Sequence, residues 1–355
     1  MTPRLGVALA LGLALGLLSA CSPPRIPVAA PPNPDATLQD VHVITTQPEG
    51  QLDGFFGSER EGDRRFGRVT VSIPPKHVAG EIEWPRGVPD SNKHFTVADI
   101  KEFSSERAMH ADIRARRETV MFVHGFNNNV AEAVFQTAQI REDFGITSPT
   151  VAFAWPSAAD LRGYLYDRDS VLFARRDFRM SLRNLSRSEG EVLIIAHSMG
   201  ALLVMEALRD LAQRGDRATL ARVSGLILIS PDIDPDVFRR QVDEIQEAVP
   251  LPNPFVVFVA QQDQALRISS LFTGGRNRLG TLTSAEDVAG LPVTLIDLTA
   301  FGETRSLNHQ IILESPSAIA LLRRLRDGDE TALPLLTPFI VSDNGRARDL
   351  AGRGR

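Results

Sequence analysis

Cysteine is almost absent: Cys21 is the only one in 355 residues. A disulfide framework is therefore excluded, and so are metal sites built on paired cysteines. An excess of one charge sign is also missing. The formal net charge is -5 with acidic and basic residues interspersed, so the electrostatic footprint of a nucleic-acid-binding protein is not there. No His-Glu-x-x-His and no glycine-rich phosphate loop occur, so neither a metal nor a nucleotide cofactor is indicated. What remains is 43% hydrophobic and 23% charged, the composition of a folded, water-soluble chain. A single domain of about 300 residues buries about three quarters of its unfolded surface and needs no disulfide or structural metal.

The first residues carry an address. Arg4 gives a positive start, residues 5–18 are an unbroken run of Leu, Ala, Gly and Val, and Ser19-Ala20-Cys21 follows. The run falls short of the roughly 20 apolar residues that span a bilayer, and Pro23 and Pro24 end it. Residues 1–20 are expected to be a secretory signal that is removed. Leu18-Ser19-Ala20-Cys21 resembles the lipobox of bacterial lipoproteins, in which the cysteine is acylated. Ordinary secretion is the other reading, although its cleavage site asks only for small residues. Acylation of Cys21 would hold the protein at a membrane, and Ser22, standing where inner-membrane-retained lipoproteins of some bacteria carry Asp, favours the periplasmic face of the outer membrane. Residues 21–37, rich in proline, read as an extended tether.

Between residues 38 and 118 short β-prone runs (41–46, 69–73, 95–100) alternate with turns and read as lead-in strands. After Arg117 apolar runs of strand length alternate with helical patterns. The expected strands are 119–123, 150–154, 192–196, 225–230, 255–260 and 293–298; the expected helices are 130–142, 170–185, 199–214 and 316–326. Strands that are apolar throughout are buried on both faces, and regular strand–helix alternation makes a parallel sheet covered by helices. The fold class is α/β, doubly wound, with a core over 119–328 and a C-terminal tail over 329–355.

The sharpest local signal is Ile195-Ala196-His197-Ser198-Met199-Gly200-Ala201. A buried strand runs straight into an amphipathic helix with a serine at the corner and small residues, Ala196 and Gly200, two positions away on each side. Larger side chains there would collide where strand and helix meet, and the serine itself is forced into a strained backbone conformation. The arrangement resembles the nucleophile elbow of α/β-hydrolases, with Ala196 in place of the usual first glycine. The helix starting at Met199 aims free amides and the positive end of its dipole at the same spot. A second amide is expected from Val123-His124-Gly125-Phe126, a strand ending in His-Gly, where Gly125 lets the backbone turn so that Phe126 N–H faces an oxyanion opposite Met199 N–H. His124 is expected to support that loop, and Asn127 to Asn129 to cap the next helix.

A serine hydroxyl needs a base, and the base a carboxylate to orient it. Of seven histidines, His42, His77, His94 and His110 precede the core and read as surface or loop residues, and His197 should point away from the serine it precedes. His309, after the last strand and before the last helix, fits the chain order Ser, acid, His. For the acid, Asp263 opens a loop at the end of a buried strand. The competitor is the cluster Asp232-Ile233-Asp234-Pro235-Asp236 after the preceding strand, with turn and helix-start chemistry of its own; Asp297 lies inside a strand. That cluster is not a calcium loop, since Val237 stands where an EF-hand needs glycine.

These segments, together with Ala154-Trp155-Pro156-Ser157 and Tyr164-Leu165-Tyr166-Asp167, resemble a family of bacterial esterase/lipase-like α/β-hydrolases whose physiological role is undefined; the resemblance spans about residues 69–325. It implies a cofactor-independent ester hydrolase; together with the residue reading above, the expectation is a serine hydrolase acting on carboxylic esters, small-molecule or lipid-like, with Ser198, Asp263 and His309 as triad. It does not name a substrate. A serine peptidase, a thioesterase and a non-catalytic envelope scaffold stand as alternatives. Trp155 and the segment 161–173 either line an acyl pocket or belong to the core.

Overall fold

The computed structural model describes residues 27–47, 60, 62–113, 117–188, 190–282, 284–302, 308–343 and 346–347. The expected signal segment and Cys21 lie outside them. The first three strands are β1 (Thr37–Thr45), β2 (Arg65–Ile73) and β3 (Thr96–Phe103), followed by α1 (Glu106–Asp112). Then β4 (Glu118–Val123), α2 (Val130–Asp143), β5 (Thr150–Ala154), α3 (Tyr164–Ser188), β6 (Glu191–His197) and α4 (Met199–Gln213) alternate. The chain continues through β7 (Val223–Ile229), α5 (Pro235–Ala248), β8 (Phe255–Val259), α6 (Gln264–Phe272), β9 (Thr294–Asp297) and α7 (Pro316–Arg326), and closes with β10 (Ile340–Asp343) and β11 (Arg346–Ala347).

Among the described residues eleven strands form one sheet, in the order β11-β10-β9-β8-β7-β6-β4-β5-β1-β2-β3. The run from β1 through β5, β4, β6, β7 and β8 to β9 is parallel, and the outer pairs on both sides are antiparallel. Alternate residues of the central strands sort to opposite faces. Met121 and Val123 pack with Phe178, Leu182 and Leu203 on the α3–α4 side. Val120 and Phe122 pack with Ile140, Ile312 and Leu321 on the α2–α7 side. Burying each such side chain contributes about 1.5–3 kcal/mol, and because both faces are covered the strands read as apolar without interruption. Among the described residues no helix is long and apolar enough to cross a membrane.

Several expectations change. Of the helices labelled above, three go beyond the sequence reading: α1, α5, and α6, which follows Asp263 directly. Part of the expected tail joins the sheet, since β10 pairs with β9. The proline-rich segment is not a free tether throughout, because Val28 and Ala30 exchange backbone hydrogen bonds with Val97 on the edge strand β3. His42 and His110 are buried rather than on the surface: His42 lies on β1 against Phe103 and Asp112, and His110 on α1 beside Ser188.

His77 is also no ordinary loop residue. Its two ring nitrogens contact Glu83 at 3.0 Å and Asp143 at 3.0 Å, and Asp143 also accepts the Gly80 amide at 2.8 Å. Burial alone would lower its pKa, but the hydrogen bonds and charges of the two carboxylates outweigh it and raise it to about 9. A histidine whose folded pKa is raised contributes stability that is fully present below its unfolded pKa of about 6.5 and is lost as pH rises through the folded value. A shift of this size is worth roughly 3 kcal/mol. Urea unfolding midpoints should therefore fall between pH 6.5 and pH 9.5 in the wild type, and His77→Gln should flatten that part of the profile.

Candidate active site

The corner between β6 and α4 forces Ser198 to φ 53° and ψ -119°. A non-glycine residue there costs about 1–3 kcal/mol, so the surroundings must over-determine it. They do: Ser198 N–H donates to Ile229 O at 2.9 Å, and Ser198 O accepts from Asp232 N at 3.1 Å and Ala201 N at 3.1 Å. Space requires the glycine. A Cβ on Gly200 would lie 2.2 Å from His124 O and 2.7 Å from Val123 O, so α4 can cross the end of β4 this closely only without a side chain. Ala196 is fully buried beside it.

Gly125 belongs to the same close approach, for a reason other than the expected one. Its φ is not positive. A Cβ there would instead meet His197 Nδ1 at 2.7 Å and Ser198 Cβ at 2.9 Å. The left-handed residue of this loop is Asn127, at φ 58°. Asn129 caps α2 in a capping box with Glu132. The N–H groups of Phe126 and Met199 find no acceptor among the described residues. His124 is wholly buried, stacked on Trp155 with centroids 4.9 Å apart, and its ring nitrogens face Gly125 O and Trp155 O. Burial lowers its pKa to about 4, so the ring is neutral. Trp155 is thereby core, whereas Leu165, Tyr166, Leu172 and Phe173 are exposed on α3.

His309 and Asp263 meet. The distance from His309 Nδ1 to Asp263 Oδ2 is 2.6 Å, across 46 residues of sequence. Asp263 is fully buried, and its other oxygen accepts Leu266 N at 2.9 Å as the N-cap of α6. Burial disfavours the charged imidazole, but the Asp263 charge and hydrogen bond outweigh it, with Asp232 and Glu314 adding to them, so the His309 pKa lies above 6.5. The imidazole packs against His197, the residue before the serine, with centroids 4.7 Å apart. His197 is buried, its own pKa pushed well below 6.5 by burial and by His309, and its Nε2 faces His309 O at 3.3 Å. No hydrogen bond joins His309 to Ser198 Oγ in this structure.

The competing acids are occupied elsewhere. Asp234 caps α5 through Asp236 N at 3.0 Å and faces Arg276. Asp297 holds Thr299 N at 2.9 Å and Gln261 at 2.9 Å. Asp232 is buried and bonded to Tyr164, Ser269 and Arg278. Tyr164 stacks on Phe272 and meets Phe126 edge to face. That cluster beside the site was not legible in the sequence, because its members lie up to 114 positions apart (164 to 278). Among the described residues no group of three or more His, Cys, Asp or Glu side chains is arranged to hold a metal ion.

Known proteins resemble the chain to differing degrees. No curated protein matches its sequence. Among solved structures, a CIB-like hydrolase from Thermoplasma acidophilum is similar at 15% identity, covering 81% of this chain and 99% of that one with a TM-score of 0.37. Esterase B from Lactobacillus rhamnosis is similar at 15% identity over 93% and 98% of the two chains, TM-score 0.34. Phospholipase PlaB from Legionella pneumophila reaches 15% identity over 62% of each, TM-score 0.38. A family model matches residues 101–326, more than half of the chain and the part that carries the serine corner, the His-Gly loop and the His309–Asp263 pair. The chain therefore belongs to the family described as alpha/beta hydrolase of unknown function, DUF900.

Proposed function

We propose that the chain is a serine hydrolase that cleaves carboxylic esters through an acyl-enzyme, with Ser198 as nucleophile, His309 as base and Asp263 as orienting acid. The observation that carries this reading is the 2.6 Å His309–Asp263 pair lying against the residue before a strained serine. Two amides that find no acceptor among the described residues, those of Phe126 and Met199, flank that serine. In the first half-reaction His309 Nε2 takes the Ser198 proton as Oγ bonds to the ester carbonyl carbon. The carbonyl oxygen becomes an oxyanion held by the two amides. Collapse breaks the carbon–oxygen bond to the alcohol, which leaves with the proton from His309. Water, deprotonated by the same imidazole, then releases the carboxylic acid and frees Ser198. The missing Ser198–His309 hydrogen bond is the contact that substrate closure has to supply, and such bonds are often long before substrate binds.

The test is labelling by a fluorophosphonate probe. The wild type should be modified at Ser198 and Ser198→Ala should not; an unlabelled wild type would sink the reading and leave the scaffold alternative. Matched 4-nitrophenyl ester, thioester and anilide substrates separate an esterase from a thioesterase or peptidase.

The location is a second proposal, resting on the sequence. Leu18-Ser19-Ala20-Cys21 directs acylation of Cys21 and removal of residues 1–20, and several acyl chains on one residue anchor far more firmly than one. Mass spectrometry of the membrane-extracted protein should find Cys21 at the N-terminus carrying acyl chains; an unmodified, soluble mature chain would refute the anchor.

A further inference from the structure

Two segments that the hydrolytic chemistry leaves idle, 154–157 and 164–167, turn out to grip the loop that carries Phe126. Asp167, in the first turn of α3, is fully buried. Its Oδ2 accepts from Ser157 Oγ at 2.6 Å and from Asn127 N at 3.3 Å, and its Oδ1 from Ala158 N at 2.7 Å. Three residues earlier, Tyr164 packs edge to face on Phe126 with centroids 5.6 Å apart. From the other side Trp155 Nε1 donates to His124 O at 2.8 Å while its ring lies flat on the His124 ring. The loop 124–127 is thus held at both ends, and its left-handed residue, Asn127, is pinned by its own N–H to a carboxylate.

We propose that Asp167 is a positioning residue for the oxyanion loop, fixing the Phe126 amide through the peptide that follows it; the assignment rests on the hydrolase reading above. The physical argument is one of cost. A carboxylate buried this deeply loses its hydration, which Asp167 replaces with three donors rather than a close ion pair; burial raises its pKa to about 6, with Arg60 contributing only a distant opposing charge. A neutral or apolar residue would cap or pack α3 at less expense. A fixed acceptor is what a donor-bearing loop needs in order to meet developing charge without rearranging, since preorganisation is the main source of electrostatic catalysis.

The test compares Asp167→Ala and Asp167→Asn with the wild type on 4-nitrophenyl butyrate and on two inhibitors, an alkyl trifluoromethyl ketone, which forms a tetrahedral adduct with serine, and the matching methyl ketone, which binds without forming one appreciably. For Asp167→Ala, kcat should fall on the order of 10- to 100-fold with KM within about two-fold, and trifluoromethyl ketone affinity should fall by the same factor. Methyl ketone affinity should hold. Asparagine keeps an acceptor and should restore most of the loss. Hydrogen exchange at residues 125–128 should quicken in the alanine variant. Unchanged trifluoromethyl ketone affinity, or equal weakening of both ketones, overturns the assignment. If Asp167→Ala does not fold, Ser157→Ala removes the 2.6 Å bond to Asp167 and the 3.2 Å bond that Ser157 Oγ accepts from Ala159 N, keeps both backbone donors to the carboxylate, and should give a smaller loss of the same kind; no loss there also overturns it. A wild type that neither hydrolyses the ester nor reacts with a fluorophosphonate fails at the earlier step, the hydrolase reading itself.

Discussion

Replacing Ser198 with alanine is expected to lower kcat toward an ester by about 10⁵–10⁶-fold, with His309→Ala close behind and the double variant no worse than either alone. The non-additivity follows from the proposed mechanism. There the imidazole contributes by taking the serine proton, so once the hydroxyl is gone it has nothing to take, and the reverse holds equally. Residual turnover would come from the Phe126 and Met199 amides and from substrate binding. Neither substitution should unfold the chain. Ser198 is held by its backbone groups, and alanine accepts the corner at the same cost in strain. Losses that simply add up, each partial, would mean that the two residues do not work as a unit; the measurement is steady-state hydrolysis of 4-nitrophenyl butyrate by the three variants.

Asp263→Asn should lower kcat by about 10³–10⁴-fold, whereas Asp234→Asn should stay within about two-fold of the wild type. The first change removes the charge facing His309 Nδ1 at 2.6 Å and lets the amide donate where an acceptor is needed, favouring the wrong tautomer. It spares the helix cap, because the remaining amide oxygen can still accept Leu266 N. The second change touches only a cap on α5 and a partner of Arg276. The pH dependence separates them further. With neutral His309 as the proposed base, kcat/KM in the wild type should rise with pH through a pKa above 6.5, the side to which Asp263 moves it. Without that charge the burial of His309 acts unopposed by its main partner, and in Asp263→Asn the rise should move to lower pH. Loss of activity with Asp234→Asn but not with Asp263→Asn would overturn the choice of acid.

Local sequence announces what local sequence controls. The strand residues 192–196 are apolar on both faces because the sheet is covered on both sides, and the change from that texture to the helical spacing of Leu202, Met205 and Leu208 marks the serine corner. Gly200 flanks it because a side chain there would collide with His124 O and Val123 O, and Ala196 on the other side is fully buried. The same logic applies to His124-Gly125 at the end of β4. A local signal can also be masked by another local signal. The helix α5 has a capping aspartate, Pro235 at its start and buried Phe238, Val242 and Ile245 at helical spacing, yet the acidic cluster at its head resembles a turn.

Long-range neighbours are different. Whether Asp263 or Asp234 would meet His309 depends on the paths of α5 and α6 away from the sheet. Both residues follow parallel strands and both cap helices, so the helix-start chemistry that set the Asp232–Asp236 cluster apart in the sequence is shared by Asp263 and does not by itself separate them. Asp167 and Ser157 look like ordinary polar residues until α3 folds over the β4 loop, and His42, His77 and His110 pass for surface residues until other segments cover them. By itself the sequence determined the parallel α/β sheet and the serine at its corner, since periodicity and side-chain size act within a few residues. Only the tertiary structure decided which carboxylate faces the imidazole and which one braces the loop, because burial and hydrogen bonding are settled by elements that the chain brings together from far apart.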